Sequence, residues 1–123
     1  MKSVVVLLDS DINAPQPALE KAVFLARKMA APLQVYVNAY STALIRAVGM
    51  DKEHLQRARD NVMRGWEKQL RKMLDKLNAP DSETHIFWEQ SESVTLADFI
   101  RRTDPALLVL HRGRVVYERH HIG

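Results

Sequence analysis

Residues Ser3 to Leu8 read SVVVLL, an unbroken apolar and β-branched run that closes on Asp9-Ser10-Asp11. A strand with one wet face alternates apolar and polar positions. A run without alternation therefore predicts a strand covered on both faces, as in a parallel sheet. The period then changes. From Ala18 to Ala30, Leu19, Ala22, Val23, Ala26 and Met29 recur at steps of three and four, with Glu20, Lys21, Arg27 and Lys28 opposite them. That pattern predicts an amphipathic helix. Pro15 and Pro17 punctuate the preceding loop, and Pro17 suits a first helical turn, where its missing N–H is not needed. Pro32 stops the helix, and Leu33 to Asn38 (LQVYVN) predicts a second strand.

Ala39 to Met50 has no clear period, although Ala43 to Val48 fits a helical turn that Gly49 breaks. A long helix is predicted from about Asp51, because Leu55, Ala58, Val62, Trp66, Leu70, Met73 and Leu77 form one apolar stripe. Asn78-Ala79-Pro80-Asp81 ends it. Thr84 to Trp88 (THIFW) predicts a third strand. Ser91 to Ser93 form a polar loop. Thr95 with Asp98 resembles a capping box opening a helix through Arg102, with Leu96, Phe99 and Ile100 on its buried face. Asp104-Pro105 ends that helix, and Ala106 to Leu110 (ALLVL) predicts a fourth strand. Arg112-Gly113-Arg114 reads as a turn before a short fifth strand, Val115 to Glu118.

The order is thus β-α-β-α-β-α-β with a further piece. Short strands alternating with helices imply an α/β fold, an open parallel sheet joined by right-handed crossovers, in the strand order 3-2-1-4. A ligand of such a sheet sits outside the C-terminal strand ends, where the order reverses beside the first strand. Asp9 and Ser10 are expected there.

Composition narrows the chemistry. The 123 residues contain no Cys, which excludes disulfides, thiol nucleophiles and zinc-thiolate sites and fits a reducing compartment. The apolar run near the N-terminus is too short for a signal peptide. No segment approaches the roughly 18 apolar residues of a membrane span. A cytoplasmic, membrane-free single domain is expected. The net charge of +3 comes from 18 Lys and Arg against 15 Asp and Glu, interleaved along the chain. Interleaved signs on a helix describe a solvated face, so nucleic acid is not expected as a partner. A nucleic-acid or acidic-partner module remains a third reading, distinguished by salt-sensitive binding.

The Val-rich run ending in Asp9, the segment ALEKAVFLARKMAAPLQVYV, the strand HIFWE and the stretch DFIRRTDPALLVLHRGR resemble, in order and spacing, the universal stress protein family up to about Arg114. The likeness is greatest to the first repeat of tandem E-type members, which keep no clear nucleotide motif. The resemblance implies a Rossmann-like, adenine nucleotide alpha hydrolase-like domain serving in the stress response. ATP-binding members use an Asp after the first strand, a backbone contact near the end of the second, and G-x2-G-x9-G-[ST] after the fourth. Glycines there let backbone N–H groups approach phosphate oxygens. Asp9 fits the first element, and Val37 or Asn38 the second. Leu110-His111 stand where the first Gly belongs, and Gly113 fits the second. Gly123 keeps the spacing, but the Ser or Thr, the helix and the strand that follow in the family do not appear; the spacing is either chance or the mark of a cut where the family's fourth helix begins, and both readings stay open.

The resemblance therefore implies a non-catalytic binding or scaffold module without a cofactor, ATP being the alternative. The candidate nucleotide crevice is Asp9, Ser10, Val37, Asn38 and Gly113. A homodimer through the C-terminal segment is expected, because an apolar edge strand needs a cover. Asp9 also suits a plain turn-capping role. His85, His111, His120 and His121 match no metal-ligand spacing, and no G-x-S-x-G elbow surrounds Ser10, Ser91 or Ser93. Ser93 or Thr95 reads as a helix cap, and Trp66 and Trp88 as packing residues.

Overall fold

The computed structural model describes residues 2–49, 51–110 and 115–117. Its elements run β1 (Val4–Leu7), α1 (Pro17–Met29), β2 (Leu33–Asn38), α2 (Thr42–Val48), α3 (Lys52–Lys76), β3 (Glu83–Phe87), α4 (Glu92–Thr103), β4 (Leu107–Val109) and β5 (Val115–Tyr117). They build one sheet in the order β3-β2-β1-β4-β5. The first four strands are parallel throughout, and β5 joins β4 antiparallel, with Val109 opposite Val115. The order 3-2-1-4 expected from the sequence is what is found.

The unbroken apolar run of β1 is explained by its place at the centre. Val4, Val5 and Val6 are all fully buried, because both faces are covered. On one face Val4, Val6, Val35, Val37 and Val109 meet α1 and α3 through Leu19, Val23, Trp66, Leu70 and Leu74. On the other, Val5 and Tyr36 meet Phe99 of α4. This division follows from handedness. Two right-handed crossovers step outward from β1 to β3 on one face, and the return step to β4 must then use the opposite face.

The helices differ from expectation in detail. The N-terminal half of α3 contains no fully buried residue; its buried side chains are Trp66, Leu70 and Leu74. Asp51 caps it, accepting from the backbone N–H groups of Glu53 and His54 at 3.0 and 3.2 Å. The ambiguous segment after β2 contains α2, capped by Ser41, whose Oγ accepts from Leu44 N at 3.1 Å. Met29, expected on the buried stripe of α1, is the last residue of the helix and is exposed; the buried stripe runs from Ala18 to Ala26. The capping box at Thr95 does not form. α4 starts four residues sooner, with Ser91 rather than Thr95 at the N-cap position, so Ser93 and Thr95 both lie inside the helix. Among the described residues no helix is long and apolar enough to cross a membrane.

Candidate functional site

The chain leaves β1 through Leu8 and Asp9, and this exit is held by side chains rather than by further sheet. The Gln16 carboxamide bonds both backbone groups of Asp9: Asp9 N–H donates to Gln16 Oε1 and Gln16 Nε2 donates to Asp9 O, each at 3.0 Å. The Asp9 carboxylate accepts from Asp11 N at 2.8 Å, and Asp11 Oδ1 accepts from Asn13 N at 3.0 Å. Two successive side chain-to-backbone turns thus fold the β1–α1 loop upon itself.

A second carboxamide performs the same task at the exit of β2. Asn38 Nδ2 donates to Glu89 O at 3.0 Å, and Asn38 Oδ1 accepts from Glu89 N at 3.1 Å and Tyr40 N at 3.2 Å. Its polar atoms are thereby committed to the backbone of neighbouring segments. Asn38 holds the β2 and β3 exits together and shapes what lies between them.

Two concavities open at these exits. The larger, about 690 Å³, lies on the α3 side; Trp66, Val62, Ile12 and Leu44 supply apolar surface, and Tyr40, Ser41 and Thr42 contribute hydroxyl-bearing residues. Tyr40 is braced edge-on by Trp88, with ring centroids 5.4 Å apart. The smaller, about 180 Å³, is lined by Leu8, Asp9, Ser10, Asn38 and Glu92 on the α4 side. Ser10 borders both, so they flank the departing β1 chain. The carboxylate and cationic residues among the described lining are all carboxylates: Asp9, Asp11 and Glu92.

Beneath the smaller concavity, Tyr36 is buried in the aromatic cluster with Phe87 and Phe99, each ring 5.1 Å away. Its hydroxyl has no hydrogen-bond partner among the described residues. Burial first, then the Glu92 carboxylate, through its charge and its approach to the hydroxyl as an acceptor outside good hydrogen-bond geometry, and last the charge of Glu89, push its pKa up to about 12.

Of the five residues expected at the crevice, the structure brings Asp9, Ser10 and Asn38 together around one concavity. Val37 is not in its lining; the side chain is fully buried in the core on the opposite face of the sheet from Asn38. Gly113 lies outside the described residues, as do His111, His120 and His121. His85 is described: its Nε2 bonds Gln34 Oε1 at 3.0 Å, and its ring meets Phe99 edge-on at 4.8 Å. Gln16, Tyr40, Ser41 and Thr42 were not singled out from sequence. The only early signal for the last three is their run, Tyr-Ser-Thr, directly after a strand end.

The sequence matches no protein-family model and no curated protein. Among solved structures, the chain is similar in fold to a universal stress protein from Archaeoglobus fulgidus, with a TM-score of 0.54 and 15% sequence identity; the match covers 95% of this chain and 85% of that one. The shared α/β architecture is the one that the order of strands and helices in the sequence implies.

Proposed function

We infer that the chain acts as a binding module of the universal stress protein type, without catalysis of its own, and that it serves in a stress response. The observation that supports this reading most is the paired concavity at the exits of β1 and β2, where an open parallel sheet takes its ligands. Over the buried Trp66, the larger half offers a braced phenol, apolar side chains and the hydroxyl-bearing Ser10, Ser41 and Thr42, a surface suited to a planar, hydroxyl-bearing molecule of nucleoside type. The described lining has carboxylates and no cationic side chain to meet a triphosphate. ATP is the second reading, favoured by Asp9 at the β1 exit and dependent on Gly113.

Thermal unfolding with adenosine, and separately with Mg·ATP, distinguishes the two. A ligand present at a hundred times its Kd stabilises the fold by about 2.7 kcal/mol, which is visible as a raised Tm. Adenosine raising the Tm, with quenching of Trp66 emission, supports the first reading. A rise with Mg·ATP alone supports the second. No rise with either at millimolar concentration would leave only a scaffold role.

The module is further proposed to work as a homodimer in the cytoplasm, with its C-terminal segment at the interface. β5 is the outermost strand on that side of the sheet, and an unpaired strand edge is a template for another chain. Removal of the residues after Gly113 should yield a monomer or an aggregating protein by light scattering; an unchanged dimer would overturn this part of the reading.

A further inference from the structure

The other edge of the sheet, formed by β3, carries a second feature. Among the described residues β3 pairs only with β2. In a parallel ladder the residues of a strand alternately address one neighbour and the other side. Phe87 O accepts from Ala39 N at 2.7 Å, so Glu83, His85 and Phe87 address β2. Thr84 and Ile86 therefore present their backbone N–H and C=O groups outward, where a further strand would bond them.

Beside this edge runs a groove of about 380 Å³ between β3 and α3, with Thr84 and Ile86 on one wall. The helical wall carries Glu67, Arg71 and Asp75, spaced four residues apart. All three are exposed, and none forms an ion pair within 4.0 Å among the described residues. Four helical residues advance about 6 Å, and two residues of an extended strand advance roughly 6.7 Å. Alternate side chains of an added strand would thus keep step with this acidic–basic–acidic row.

We propose that the open edge of β3 and the adjoining α3 wall dock an extended peptide strand whose groove-facing side chains run basic, acidic, basic. Its backbone pairs with Thr84 and Ile86, and its charges face Glu67, Arg71 and Asp75 in turn. This is strand addition, with affinity from the backbone and selectivity from alternate side chains.

The test uses the full 15N-labelled chain and two capped peptides, Thr-Lys-Thr-Glu-Thr-Lys-Thr and its charge-reversed counterpart Thr-Glu-Thr-Lys-Thr-Glu-Thr. The first should bind with its largest amide shifts at Thr84 and Ile86, and the second about tenfold or more weaker, since exposed pairs each contribute a few-fold. Arg71→Glu, a solvent-exposed change, should weaken the first peptide about fivefold. The same variant should prefer the all-basic Thr-Lys-Thr-Lys-Thr-Lys-Thr. Equal binding of the two charge patterns, shifts centred elsewhere, no shifts at millimolar peptide, or an Arg71→Glu variant with unaltered preference would each overturn the proposal. So would a free protein that self-associates through β3, with the Thr84 and Ile86 amides already protected from exchange.

Discussion

Gln16 and Asp9 are paired as two strand residues would be, the carboxamide of one matching the N–H and C=O of the other at 3.0 Å. The side chain of Gln16 thus continues the β1 ladder past its last strand neighbour. It fixes the direction in which Asp9 and Ser10 enter the crevice. Gln16→Ala leaves two part-buried backbone groups without partners, each costing about 1–3 kcal/mol if water does not replace the bond. Because Asp9 is only partly buried, water replaces part of the lost bonding, and the expected result is a total loss of about 1–3 kcal/mol in urea unfolding, together with amide shifts at Asp9 and Ser10 by NMR. A variant as stable as the parent would show that solvent satisfies both groups.

Tyr36 supplies a contrasting case, a buried hydroxyl with no hydrogen-bond partner among the described residues. Removing the hydroxyl relieves its desolvation but gives up its attraction to the Glu92 carboxylate, so Tyr36→Phe should leave stability within about 1 kcal/mol of the parent. The sign of the pH effect is fixed by the raised pKa. Between pH 10, where the unfolded phenol ionises, and about 12, where the folded one does, the unfolded state has lost a proton that the folded state keeps. Stability therefore falls as pH rises through that window, with a slope of up to roughly 1.4 kcal/mol per pH unit. The phenylalanine variant should lack that component of the alkaline loss. Parallel urea titrations of the two proteins, with phenolate absorbance as the second probe, measure it.

The fold was legible in the sequence because three of the four parallel strands, β1, β2 and β4, are largely buried on both sides. SVVVLL and ALLVL have no alternation to confuse with a surface strand, and LQVYVN was bounded by Pro32. The start of α4 was misread because Thr95 and Asp98 have the spacing of a capping box. Ser91 takes the N-cap place with no side-chain cap bond, so the helix start left no such signature. The crevice was legible through Asp9 and Ser10 at the end of the first strand and, by resemblance, Asn38 at the end of the second, though not the clamping roles of the side chains there. Gln16 and Asn38 act by shape, each reaching backbone groups seven or 51 residues away, and no local pattern encodes such a clamp. The cavity by Tyr40 was missed because the segment after β2 lacks any period, and α2 buries no side chain that would impose one.

His85 on β3 should make stability respond to acid. Its side chain faces Gln34 Oε1 at 3.0 Å, Glu83 Oε2 at 3.7 Å, the Phe99 ring at 4.8 Å and the charge of Arg102. Burial lowers its pKa below 6.5; Glu83 opposes that shift and Arg102 adds to it. The unfolded state accordingly takes up a proton before the folded state does. Stability is complete above pH 6.5, falls as pH drops towards the lower folded value, and levels off beneath it. His85→Gln keeps a polar group near Gln34 and removes the titration. Its unfolding midpoint should change less than the parent's between pH 7 and pH 5, measured in urea at fixed ionic strength. A parallel pair of curves would assign the acid response to carboxylates instead.

The end of α1 gives the last prediction. Ala30 sits in the left-handed region at φ 52°, and Ala31 N donates back to Ala26 O at 2.9 Å, the six-to-one bond of a helix terminus usually closed by glycine. An L residue with a Cβ there crowds its own backbone at a cost of about 1 kcal/mol. The sequence predicts the stop from Pro32, yet the helix has already turned two residues before it. Ala30→Gly removes the crowding without disturbing a core contact, because Ala30 is exposed. Glycine's larger unfolded-state freedom opposes this gain by a similar or smaller amount. The strain is relieved in the folded state alone, and α1 packs directly against the central strand, so the net change should raise stability by about 0.5 kcal/mol. Ala30→Val should lower it by about 1 kcal/mol or more, since a β-branched side chain worsens the same clash. Opposite shifts of the two variants in thermal unfolding would establish that this residue's backbone, and not Pro32, sets where the helix ends.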